Sequence, residues 1–152
     1  KFGVKGYNYW LFNHESEYRK NQYLFMKIIN AAISIKAKKQ DSLILGSLDY
    51  YRDWSYAKEI VEGAFMLTSE GKSCDYVLGS GSCSSIREVT KIIFDYFNLN
   101  FEDYIKIDAT LLREDDSPKI LSNPSKIYNE LGWKTKLKVE DFIGIIIKNY
   151  IN

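Results

Sequence analysis

Apolar positions along the chain fall either in short solid runs or at spacings of three and four. Residues 1–6, punctuated by Gly3 and Gly6, have the pattern of a helix end and a turn. Residues 7–12 form a solid aromatic and apolar run that predicts a buried strand, and it ends in the polar Asn13-His14-Glu15-Ser16. Residues 18–21 are polar and predict a loop. In residues 23–35, Phe25, Met26, Ile28, Ile29, Ala32, Ile33 and Ile35 cover more than one face, which predicts a largely buried helix. Leu43–Leu45 predicts a short strand stopped by Gly46. Residues 54–67 predict a helix striped by Ala57, Ile60, Val61, Ala64 and Leu67. A strand is expected at 76–78, before the run Gly79-Ser80-Gly81-Ser82. Ser85 with Glu88 fits a capping box opening a helix to about Phe97, with Ile86, Val89, Ile93 and Phe97 inward. Ile105–Ile107 predicts another short strand. Asn123-Pro124 predicts a cap followed by proline in the first helical position, with that helix stopping at Gly132. Val139–Ile151 predicts a last helix with Phe142, Ile143, Ile146, Ile147 and Tyr150 apolar.

Short strands scattered among helices, without repeats or a linker, predict a small α/β lobe. Strands are too few and too short for a complete doubly wound sheet, and a first strand-helix-strand unit with its glycine-rich turn is missing. The 152 residues suffice for one domain, and 45% hydrophobic with 27% charged residues is globular rather than disordered. Charge changes the picture by exclusion. With 21 basic against 20 acidic residues, net +1, no global field invites nucleic acid or a membrane surface. A bound anion must be held by a local cluster. No apolar run reaches membrane-spanning length and there is no leader pattern, which predicts a soluble cytoplasmic protein. The two cysteines, Cys74 and Cys83, match no metal spacing and read as reduced thiols.

Three polar clusters carry candidate chemistry: Asn13, His14, Glu15, Ser16 and Arg19; then Asp49, Arg52, Asp53 and Trp54; then Arg113, Glu114, Asp115 and Asp116. Arginines in loops suit bidentate bonding to a diphosphate, and a carboxylate suits a ribose diol. The Gly/Ser run fits neither phosphate-loop spacing, no serine sits in a nucleophile elbow, and consecutive carboxylates diverge too much for one metal site.

Taken together, these segments resemble the GDP-mannose 4,6-dehydratase family of extended short-chain dehydrogenases. Leu11-Phe12-Asn13-His14-Glu15-Ser16 is identical to the family's LFNHES segment. Leu45 to Asp49, Arg52-Asp53-Trp54 and Ala57-Lys58 resemble its LGNLDxxRDWxHAK. Arg113 with Asp116 falls on RPTE, and Asn123 to Lys126 and Leu131 to Lys134 on DPTKA and LGWKP. The resemblance runs from about Tyr7 to Lys148. It implies the C-terminal, substrate-binding half of such an enzyme, with residues 1–16 ending the cofactor-domain sheet and 17–152 forming a GDP-sugar lobe. The N-terminal Rossmann half, with its catalytic tyrosine and lysine, is expected to lie outside this chain, so no catalytic residue is assigned. The implied reaction is an internal NADP redox cycle giving a GDP-4-keto-6-deoxy sugar.

Position by position, the resemblance implies that His14 and Arg19 meet NADP. Asn13 matches a substrate-contacting asparagine, Leu24 and Lys27 the guanine end, and Arg52 and Arg113 the diphosphate and ribose side. Asp116 matches a ribose-bonding glutamate, one methylene shorter here. The family's PRRG is Glu17-Tyr18-Arg19-Lys20, losing an arginine and a glycine from a loop that reaches a neighbouring subunit in its dimers or tetramers. Other departures, such as Ser47 for asparagine, leave open a GDP-heptose substrate, a GDP-sugar epimerase or reductase, or a non-catalytic GDP-sugar-binding module.

Overall fold

A computed structural model describes residues 6–70, 74–112 and 116–151 of the chain. Nine short strands and five helices alternate in the order β1 (Asn8–Leu11), β2 (Asn13–Glu15), α1 (Leu24–Lys36), β3 (Leu43–Leu45), β4 (Tyr51–Arg52), β5 (Trp54–Tyr56), α2 (Ala57–Ser69), β6 (Asp75–Leu78), β7 (Ser84–Ser85), α3 (Ile86–Tyr96), β8 (Ile105–Ile107), β9 (Lys119–Ile120), α4 (Ser125–Leu131) and α5 (Val139–Ile151) among the described residues. The mixed α/β lobe predicted from the pattern is what forms.

Parallel pairing dominates: β1 with β6, β2 with β5, and β3 with β8. Each such pair needs a crossover, and the intervening helices supply it. β4 lies between antiparallel β7 and parallel β9. The main core joins α1, α3 and α5 through Phe25, Ile29, Ile93, Phe94, Phe142 and Ile146. A smaller core of Ile60, Leu67, Tyr76, Leu78, Ile127 and Trp133 lies under α2, β6 and α4. Among the described residues no helix is long and apolar enough to cross a membrane.

Several expectations need correction. The run at 7–12 is not a buried strand: Trp10 and Leu11 are 63% and 50% exposed. β1 has a single strand neighbour, β6, among the described residues, and on one face Tyr9 reaches the carbonyl of Ala64 in α2. The polar Asn13–Glu15 is itself a strand. Trp54, expected to begin a helix, sits in β5 because the backbone of 54–56 pairs with that of 13–15. The helix starts at Ala57, and Val61 faces solvent while Ile60, Gly63 and Leu67 are buried. Pro124 is itself the cap of α4, one residue later than expected. The capping box holds: the Ser85 side chain accepts from the Glu88 N–H, and the Glu88 carboxylate accepts from the Ser85 N–H at 2.7 Å. α4 ends at Gly132 in the left-handed region, φ 69°.

Candidate functional site

The polar end of β1–β2 and the segment around Arg52 meet because β2 pairs with β5, in register from Asn13 opposite Trp54 to Glu15 opposite Tyr56. Asp53, fully buried between β4 and β5, fixes this corner. Its carboxylate accepts from the Ser80 N–H and hydroxyl at 2.8 and 2.7 Å, from the Gly81 N–H at 2.9 Å, and from the Ser122 N–H and hydroxyl at 3.2 and 2.5 Å. Five donors satisfy the hydrogen-bonding capacity of this buried carboxylate. The same bonds consume the donors of the Gly/Ser run, which therefore cradles Asp53 and not a phosphate. Gly79 has no alternative here: a Cβ would come within 2.4 Å of the Ser122 hydroxyl.

Flanking Asp53, Arg52 and Trp54 line a cavity of about 320 Å³ with Asn13, Glu15, Arg19, Gln22, Tyr23, Leu24, Ile86 and Asp116. A second, more open hollow of about 460 Å³ is lined by Trp10, Leu11, Phe12, Asn13, His14, Arg19 and Ile120. Asn13 and Arg19 stand in both walls. Six of the eight residues expected at the site from the sequence, Asn13, His14, Arg19, Leu24, Arg52 and Asp116, are thus brought to one corner. Lys27 is not. Its ammonium donates to the Ile44 carbonyl at 2.8 Å, outside either wall. Arg113 lies outside the described residues.

The two arginines are already engaged. Arg52 donates to Asp116 at 2.6 Å and to the carbonyls of Tyr51 and Ser117 at 2.8 and 2.9 Å. Three of its five N–H donors are used, leaving two for a ligand. Arg19 stacks over the Tyr23 ring at 3.9 Å, and its Nε lies 3.2 Å from Glu15, in ion-pair range without hydrogen-bond alignment. Glu15 is 2% exposed. Burial pushes its carboxyl up to about 7, and the attraction of Arg19 only partly offsets this. The His14 Nδ1–H donates to the Phe12 carbonyl at 2.8 Å, which leaves Nε2 as the ring atom able to meet a ligand.

Glu15, Gln22, Tyr23, Trp54 and Ile86 also line the cavity of about 320 Å³, without a role assigned to them from the sequence. A further hollow of about 490 Å³, between Ser80, Ser82, Ser84 and residues 135–140, contains none of the expected site residues. Among the described residues no group of three or more potential metal ligands is present.

A family model described as GDP-mannose 4,6 dehydratase matches residues 1–146. The chain is 31% identical over 146 residues to GDP-mannose 4,6 dehydratase 1 of Arabidopsis thaliana, covering 96% of this chain and 40% of that protein. Its backbone is similar to that of RMD from Pseudomonas aeruginosa complexed with NADPH, with a TM-score of 0.85 at 19% identity over 97% of this chain and 48% of that one. A dTDP-glucose 4,6-dehydratase from Streptomyces venezuelae with NAD bound gives a TM-score of 0.82 at 18% identity, over 99% and 45%. The chain therefore spans less than half the length of the relatives it matches, in their C-terminal portion.

Proposed function

The chain belongs to the GDP-mannose 4,6-dehydratase family, and on that premise we propose that it forms the nucleotide-sugar-binding part of a cytoplasmic, NADP-dependent dehydratase that assembles from two or four copies. One observation carries the reading: six residues matching the family's ligand-contacting positions, drawn from β2, the loop after it, α1, β4 and the segment before β9, line two hollows sharing Asn13 and Arg19.

The residues fit such ligands. Arg52 keeps unused N–H donors beside the cavity, suited to a diphosphate. Asp116 is partly exposed and suits a ribose hydroxyl donor. Asn13 orients what lies between the two hollows. On the other side, Arg19 suits a phosphate of a dinucleotide, and the acceptor Nε2 of His14 suits a hydroxyl of its ribose. That cofactor, when bound, supplies hydride uptake and return. The residues of this chain bind and orient.

Titration calorimetry of GDP into the chain tests the reading. We expect saturable binding at millimolar GDP. Arg52→Lys, which keeps the charge but loses the fork, should weaken binding by roughly 10-fold, the effect of one charge-assisted hydrogen bond. Folded chain that shows no heat at millimolar GDP overturns the proposal. A protein joining this chain to a cofactor-binding half should convert GDP-mannose to its 4-keto-6-deoxy form.

A further inference from the structure

Away from that corner, the structure places a thiol and an amine in contact. Cys74 immediately precedes β6, and Lys126 lies in the first turn of α4. The Lys126 Nζ is 2.7 Å from the Cys74 Sγ. By comparison, the thiols' own contacts with carbonyl oxygens are 3.7 Å for Cys74 and 3.3 Å for Cys83. The amine is held there by two further contacts: it donates to the Asp75 carbonyl at 2.8 Å and sits 4.5 Å from the centre of the Tyr76 ring. The Tyr76 hydroxyl is anchored in turn on Glu130 at 2.7 Å. Cys74 is partly exposed, so small oxidants reach it.

We propose that Cys74 and Lys126 are a redox-sensitive pair, which peroxide closes into a covalent sulfur–oxygen–nitrogen bridge between β6 and α4. The chemistry balances in two steps. In the first, the Cys74 thiol gives up its proton and its sulfur attacks a peroxide oxygen. An S–O bond forms, the O–O bond breaks, one water leaves and Cys74 becomes a sulfenic acid. With the thiol contact gone, Lys126 releases a proton to solvent before the second step. In the second step the amine nitrogen bonds to the sulfenic oxygen. A second peroxide takes one hydrogen from the nitrogen and one from the sulfenic O–H and leaves as two waters. Sulfur and nitrogen are each oxidised once, and two peroxides are reduced. In the reduced state the thiol contact raises the Lys126 pKa, so the amine waits as a cation until the first step is complete.

The position gives the bridge a consequence. β6 runs on into Ser80 and Gly81, and α4 follows Ser122, and both segments bond Asp53. The bridge would tie together the two arms that hold this carboxylate.

The experiment uses the chain with Cys83→Ser, treated with hydrogen peroxide, digested and analysed by mass spectrometry. The expected product is one linked peptide pair joining Cys74 to Lys126. Its mass is the sum of the two peptides plus one oxygen and less two hydrogens, and a thiol reductant releases it. Lys126→Arg keeps the cation and should abolish the link while Cys74 still oxidises. Three results would overturn the proposal: Cys74 found only as sulfinic or sulfonic acid with Lys126 free, a link lacking the oxygen, or an undiminished link in Lys126→Arg.

Discussion

At the residue scale, the site is governed by how two arginines are balanced. Arg52, itself buried, is matched by the partly exposed Asp116. Arg19 faces Glu15, whose carboxyl titrates near 7 because it is buried. The sign follows from linkage. Below pH 4.5 both folded and unfolded chains are protonated at Glu15, and its contribution to stability is fully present. Between 4.5 and about 7 the folded chain holds a proton that the unfolded chain has released, so stability falls as pH rises, by roughly 3 kcal/mol in all. Urea unfolding of Glu15→Gln should lose this slope and match the wild type at acidic pH. A slope unchanged by the substitution would mean another group titrates. Neither the 64-residue separation of Arg52 and Asp116 nor the burial of Glu15 is written in local spacing. The polar clusters were legible, but the pairing between them was not, since it depends on which strands meet.

At the element scale, legibility tracked length. The helices at 24–36, 86–96 and 139–151 carry their own periodicity and were readable within a residue or two. Strands of two or three residues have no such period: Leu43–Leu45 and Ile105–Ile107 were readable as short apolar runs, but polar or mixed strands were not. Trp54–Tyr56 and Asn13–Glu15 are strands because each is the other's partner, a fact outside either segment. The interior of α2 shows the same override. Gly63 in mid-helix costs about 1 kcal/mol relative to alanine by propensity alone. Here an added Cβ would meet Trp133 Cε2 at 2.5 Å, with Cζ2 and Nε1 at 2.8 and 2.9 Å, and Trp133 is itself buried. Gly63→Ala should therefore destabilise the chain by about 1–3 kcal/mol, seen as a lower urea midpoint at unchanged slope. A rise in the midpoint would show that the indole moves aside freely.

At the scale of the whole molecule, a large helical core and a smaller one beneath α2 and β6 are joined by strand pairs far apart in sequence. Asp53 lies at their junction, gathering Ser80 and Gly81 from one arm and Ser122, 69 residues away, from the other. Such a junction has a kinetic meaning. Contacts that bridge segments 27 and 69 residues apart, as Asp53 does to Ser80 and Ser122, bear the cost of loop closure. Ser122→Ala, which removes a buried hydroxyl bonded to both Asp53 and the Gly81 N–H, should cost about 1–3 kcal/mol. We expect this loss on the unfolding limb of stopped-flow traces, roughly 5- to 100-fold faster unfolding with refolding changed less than about twofold. Slowed refolding would instead put the junction in the nucleus. Arg52 and Trp54, on either side of this carboxylate, stand in the cavity wall, so whatever loosens the junction loosens the pocket with it.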